Sequence, residues 1–268
     1  MKVVMLGSGN VATALGRRIV AAGHVVSQVA GRNGQTVMRL ADEWHSAHTT
    51  EWNTIDRTAD LYIVALTDSA IQGLGRRLSL PGKLVLHTAG ALPAGTLGEV
   101  TDRAGVLYPL QSFRAGIDPP AGFPLLIDAV RPGDVPLIRE FAETLTRQVV
   151  HADDHARLKL HVAAVLVNNF TNHLYTLASD FCRQEKIDFS LLMPLIRETA
   201  RRIETFPPQE VQTGPALRGD TVSLQKHLEI VAGYPDIDEI YRLFTILIEA
   251  YYRSGQFSPV RGRRPPLE

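Results

Sequence analysis

The sequence predicts an α/β fold, in which a doubly wound, mostly parallel sheet is followed by an all-helical second part. Three observations predict it. Short apolar, strand-like runs alternate with helix-length segments through residues 1–152, and such alternation builds a parallel sheet with helices on its faces. A glycine-rich turn, LGSGNVATALG, follows the first run and opens a helix. Beyond residue 153 strand-like runs stop, so 153–268 reads as helices alone.

The elements follow in order. KVVMLG (2–7) is a short apolar run ending in glycine, suited to a strand buried on both faces. A helix to about Ala22, a strand HVVSQVAG (24–31) and a helix over 34–46 come next. DLYIVALT (60–67), a helix over 69–79 and KLVLHTAG (83–90) continue the alternation. AGVLYPL (104–110), FPLLIDA (123–129), a helix over 134–147 and QVVHA (148–152) complete this half. The helical half has periodic segments at 154–184, 189–205, 221–232 and 236–254, and a proline-rich linker, 206–220, lies between the second and third.

The glycine turn is a GxGxxA fingerprint made by Gly7, Gly9 and Ala12. The first glycine allows the tight turn, the second lets backbone approach a pyrophosphate, and the alanine lets helix and strand pack closely. The turn residues Gly7, Ser8, Gly9, Asn10 and Val11 are therefore the expected dinucleotide cradle, with the helix N-terminus supplying free N–H groups. The end of the second strand chooses the cofactor. AGRN places Arg32 and Asn33 there, with no acid to hold a ribose 2′-hydroxyl, which favours NADP(H) over NAD(H). Leu66 and Thr67, after the third apolar run, would pass their backbone beneath the nicotinamide ribose, and Asp68 or Ser69 would cap the next helix.

Composition narrows the function. Lysine plus arginine equals aspartate plus glutamate, 28 each, which argues against a nucleic-acid or anionic-membrane surface. A basic cluster, Arg261, Arg263 and Arg264, reads as a solvated tail. The single cysteine, Cys182, allows no disulfide within the chain and reads as a small buried residue. The chain opens directly on a strand and has no apolar run of membrane-spanning length, so a cytoplasmic protein is expected.

Candidate chemistry gathers where strands end. His87 and Thr88 close one predicted strand, and Gln111 and Ser112 close another, on the edge that carries ligands in open α/β sheets. The helix HVAAVLVNNFTNHL raises a further question, because amides in an apolar helix must be hydrogen-bonded or line a cavity. At about 100° per residue, Asn168 and Asn172 fall about 20° to either side of His161, with Arg157, Tyr175 and Ser179 on the same stripe. Asn169 lies about 80° away, on the shoulder. The rest of that helix is apolar, so it is expected to be buried on most sides with one polar seam. The seam serves a site or a hydrogen-bond network between helices. Arg218 could bind a carboxylate or pair with Asp220, which is expected to cap the following helix, and His227 reads as structural. His45 and His48 lack a third partner, so no metal is expected and a solvated helix end is the simpler reading.

The pieces GSGNVATALG, HTAG, YPLQSF, HVAAVLVNNFTNHL and TGPALRGDTVSLQKHL together resemble a family of Rossmann-like NADP oxidoreductases whose C-terminal helical half is a domain of unknown function. More distantly the layout is similar to pyrroline-5-carboxylate reductase and to the 6-phosphogluconate and 3-hydroxyisobutyrate dehydrogenases. The resemblance implies a helical second domain of the 6-phosphogluconate-dehydrogenase-like type, a homodimer built largely from it, and a site between the domains. The hydroxyacid dehydrogenases carry a lysine on the long helix with an asparagine four residues later. Here Lys159 lies opposite the seam and Ala163 stands four residues on, so no catalytic lysine carries over. His161 is then the best-placed acid or base, with Asn168, Asn172 and Asn169 orienting a polar atom. The expected activity is hydride transfer between NADPH and a carbonyl or imine of a small polar metabolite. The alternative is a non-catalytic NADP-binding redox sensor or regulator.

Overall fold

The computed structural model describes residues 1–117 and 122–253, so the basic cluster at 261–264 lies outside the described residues. The strands are β1 (Lys2–Leu6), β2 (Val25–Ala30), β3 (Ala47–Thr49), β4 (Leu61–Val64), β5 (Leu84–His87), β6 (Arg103–Pro109), β7 (Leu125–Ala129) and β8 (Val149–His151). They form one sheet in the order β3-β2-β1-β4-β5-β6-β7-β8. Every pairing is parallel except β6 with β7. The chain leaves β1 toward β2 on one side and returns to β4 on the other. The carboxyl ends of β1 and β4 therefore flank the crevice where open α/β sheets bind ligands.

Alternation along β1 shows how the sheet is covered. Val3 and Met5 pack with Leu15 and Ile19 of α1 (Asn10–Ala21) and Trp44 of α2 (Gly34–Trp44). Val4 and Leu6 face the other way, into a cluster with Tyr62 of β4 and with Ile71 of α3 (Asp68–Gln72). Successive strand residues point to opposite faces, so a strand covered on both is apolar along its buried length, as VVML is after the partly exposed Lys2. α4 (Val135–Leu145) adds Ile138, Phe141 and Leu145 to the first layer.

The chain divides into two compact units, Met1–Phe170 and the residues from Thr171 on. α5 (Asp154–Ala164), capped by the Asp153 carboxylate on the Ala156 amide at 2.7 Å, closes the first unit and continues as a π-helical turn, Val165–Phe170. The second unit holds α6 (Thr171–Gln184), α7 (Met193–Thr205), α8 (Pro215–Arg218), α9 (Thr221–Val231) and α10 (Pro235–Arg253). Asp220 caps α9 as expected, accepting from the Ser223 amide at 3.0 Å. His227 Nδ1 pairs with the Tyr241 hydroxyl at 2.7 Å, a structural contact between α9 and α10. Cys182 is buried. Among the described residues no helix is long and apolar enough to cross a membrane.

Four local expectations are corrected. The segment after α2 is not simply a helix end. His45 closes α2 in a left-handed conformation and His48 lies on the edge strand β3. The expected helix over 69–79 stops at Gln72, because Gly73 and Gly75 interrupt it and a 3-10 turn, Leu74–Arg76, replaces its second half. Neither Asp68 nor Ser69 caps α3. Thr67 holds that position, and Asp68 begins the helix, where its charge meets the positive dipole end. The long helix is not buried on most sides in the single chain, since Leu166, Val167 and Phe170 are exposed, Val167 by 75%. Apolarity sets what a helix favours burying and does not by itself provide the cover.

Gly16 lies where α1 crosses α2, and a Cβ there would sit 2.2 Å from the Trp44 ring. Gly16→Ala is expected to cost about 1–2 kcal/mol net, overpacking outweighing the gain in helix propensity. Urea denaturation checks this: the midpoint falls at unchanged slope, and an unmoved midpoint refutes the contact.

Candidate active site

The glycine turn leaves β1 at the carboxyl edge. Gly7 has φ +130° and donates its N–H to Ala30 O at 2.7 Å. A Cβ at Gly7 would lie 2.1 Å from Ala65 O, so only glycine lets β1 turn over the end of β4. Gly9, at the N-cap of α1, has open space where a Cβ would be and provides no side-chain cap. The first-turn N–H groups of Asn10 and Val11 therefore face an uncluttered cradle that fits a pyrophosphate. Ser8 borders Gly31, and the Asn10 amide donates to Phe113 O at 3.1 Å, tying the cradle to the loop after β6. Arg32 is exposed beyond β2 and lines, with Leu66 and Thr67, a cavity of about 430 Å³. Asn33 spends its side-chain oxygen on capping α2, accepting from the Thr36 amide at 3.0 Å.

A second cavity, about 520 Å³, opens where β6 ends, between the loop Leu110–Ser112 and the helix around His161. At its wall the Tyr108 hydroxyl lies 2.9 Å from His161 Nδ1, the rings meeting edge to face at 5.8 Å. Burial raises the Tyr108 phenol above its ordinary range, so it stays protonated. Gly90 seats this pair. A Cβ there would lie 2.7 Å from His161 Nδ1 and 2.9 Å from the Tyr108 ring. Asn168 and Asn169 both line the cavity, although the helical wheel separates them. They lie in the π-helical turn, whose i→i+5 bonds fit one more residue per turn than an α-helix, so a fixed 100° step fails there. Gln111 and Ser112 also line the cavity, with Gln111 Oε1 accepting from the Ser112 amide at 2.8 Å. Tyr108 went unsingled in the sequence. The signal was its place in YPLQSF, where it ends a strand beside Gln111.

His87 does not face this cavity. It is fully buried, its Nε2 lies 3.0 Å from Pro93 O, and its Nδ1 accepts from the Ala89 amide at 3.2 Å. Both ring nitrogens thus hold the 88–93 turn, which corrects the expectation that the imidazole reaches a substrate. Thr88 is likewise buried, its amide donating to Val64 O at 3.1 Å. Arg157 is 1% exposed and donates to Leu92 O and to Asp154 Oδ1, the latter at 2.7 Å. It fixes the same turn from the helix side and is no wall residue. Asn172 and Arg218 belong to the second unit, and Arg218 forms no ion pair with Asp220, whose carboxylate serves Ser223.

Two family descriptions match in tandem: "NADP oxidoreductase coenzyme F420-dependent" over residues 2–90 and "Domain of unknown function (DUF2520)" over 123–248. The Bacteroides fragilis protein named "putative NADP oxidoreductase BF3122" is 34% identical, with 93% of this chain and 98% of that one covered at a TM-score of 0.86. The chain belongs to this family of NADP oxidoreductases. The family's fold extends further. An imine reductase from Myxococcus stipitatus, solved with NADP+, is 16% identical, with 95% of each chain covered at a TM-score of 0.66. The 1-pyrroline-5-carboxylate reductase of Streptococcus pyogenes is 11% identical, with 93% of this chain and 98% of that one covered at 0.60. At those identities the likeness is one of fold. No curated protein matches. For this family member, Gly90 and Tyr108 in HTAG and YPLQSF are joined in space through His161.

Burial, with the Arg157 charge adding to it, lowers His87 from 6.5 to about 4. As pH falls through 6.5 the unfolded chain takes up a proton there that the folded chain refuses until about 4. Stability is therefore full above pH 6.5 and drains away toward pH 4, by about 3 kcal/mol from this group. Unfolding free energies of wild type and His87→Gln, compared across that window, should converge as pH falls. Parallel curves would remove His87 from the account.

Proposed function

We propose that this protein is an NADPH-dependent reductase acting on a carbonyl or imine of a small polar metabolite. The Tyr108–His161 pair, at 2.9 Å on the wall of the second cavity, carries the reading. The glycine cradle and Arg32 would hold the dinucleotide, which when bound supplies the hydride. The chain must then supply a proton to the substrate's oxygen or nitrogen. Among the described residues His161 Nε2 has no hydrogen-bond partner, while Nδ1 faces the phenol. In imidazolium form, Nδ1–H donates to the Tyr108 oxygen and Nε2–H can pass its proton to the substrate. The resulting neutral ring keeps its Nδ1–H on the Tyr108 oxygen through the same contact. The phenol oxygen accepts that bond before and after the transfer, so the pair keeps one geometry throughout. The Asn168 and Asn169 amides, with Gln111 and Ser112, would orient the substrate's polar atoms.

The second unit supports a homodimer. It leaves Leu191, Leu195, Ile246 and Leu247 exposed, Leu191 by 71%, apolar side chains that a second copy would cover. The single buried cysteine fits a reducing, cytoplasmic setting.

NADPH oxidation across a panel of cyclic imines and small ketones tests the reaction. His161→Ala is expected to lower turnover about 10²–10⁴-fold while NADPH affinity holds. Gly90→Ala, which drives a methyl between the two rings, should do the same without touching either. Full turnover in His161→Ala, or NADPH binding with no oxidation across the panel, would sink the reading. Light scattering checks the dimer, and a monomer at micromolar concentration would refute it.

A further inference from the structure

Three arginines line the cavity of about 430 Å³ beside β2 and β4: Arg32, which follows β2, and Arg76 and Arg77, from the turn after α3. None of the three is paired with a carboxylate among the described residues. Other arginines of the same unit are engaged, Arg103 with Asp134, Arg131 with Asp102 and Arg39 with Glu43. Three unneutralised guanidiniums around one cavity repel one another and raise a local positive potential that an anion relieves.

The backbone holds the arginine pair in place. Leu74 and Leu78, on either side, are buried in the core, and Leu78 donates its amide to Leu74 O at 3.0 Å. Gly75 lets this turn lie against Glu99, whose Cβ would be 2.3 Å from a Cβ at that position. The two side chains between the anchors are exposed and line the cavity. Trp52, half-buried, lines it too and offers a flat apolar face suited to a purine.

We propose that Arg76 and Arg77 form, together with Arg32, a subsite for the 2′-phosphate of NADPH. This rests on the dinucleotide reading given above. A phosphate dianion accepts several guanidinium hydrogen bonds at once, so donors from two separate segments hold it more firmly than one arginine alone. Arg32 is visible from the strand end that precedes it. The other two come from a turn more than forty residues on in the chain, brought to the same cavity by the β4 crossover.

Calorimetric titration with 2′,5′-ADP, ADP and inorganic phosphate tests this on wild type, Arg76→Ala, Arg77→Ala and the double variant. Both side chains are exposed, so folding should be unaffected. The expected result is a loss of about tenfold or more in 2′,5′-ADP affinity in the double variant, with ADP changed less than about twofold. If 2′,5′-ADP binding is unchanged while wild type still prefers it to ADP, Arg32 suffices, the inference falls and the dinucleotide reading stands. Equal weakening of both nucleotides, or inorganic phosphate binding as tightly as 2′,5′-ADP, also overturns it, by removing the specificity for the 2′-position. If wild type binds neither nucleotide, both readings fall.

Discussion

The arrangement of the first unit depends on one buried imidazole. His87 ends β5 where a strand would otherwise run into solvent, and its two nitrogens bind backbone on both sides of the 88–93 turn. That turn presents Gly90 to the Tyr108–His161 pair and Leu92 O to Arg157. The helix is thus secured twice over, by a charged donor below and by ring contacts above, on a loop with no regular structure of its own. A histidine suits this post because in neutral form it donates from one nitrogen and accepts at the other. The burial that keeps it neutral also keeps the clamp closed.

The site gathers parts from distant stretches of the chain by strand order rather than by proximity in sequence. β1, β4, β5 and β6 are parallel neighbours, so the turns that follow them emerge on one edge. Asn10 then links two of those turns directly, its amide holding Phe113 O while its own backbone helps to form the cradle. The loop carrying Gln111 and Ser112 is therefore anchored to the turn that would receive the pyrophosphate.

Much of this was legible in the sequence. Doubly covered strands are apolar along their buried length, and β1, β4 and β5 announce themselves that way apart from Lys2 at the start of β1 and His87 at the end of β5. The glycine turn was readable because its tight positive-φ turn and its close packing over Ala65 demand the same residue at Gly7. What escaped detection was cooperative. β3 is three residues long and borrows its stability from β2, so no local pattern marks it. Tyr108 looks like a strand residue until its partner arrives from the helix, fifty-three positions later. His87 carries the marks of a catalytic residue, a histidine at a strand's carboxyl end, and only its two backbone contacts reveal a structural one. The helical wheel assumed a regular helix, an assumption that fails at Val165–Phe170.

That wide turn has a consequence for how the site tolerates change. A substitution at Asn168 alters one amide. Removing a single residue from 165–170 would relax the turn toward an ordinary helix and swing every later position around the axis. The backbone would gain regularity while the two amides lost their common aim. The amide pair is in this sense a property of chain length as much as of side-chain identity, and the reading frame of the helix is itself part of the site.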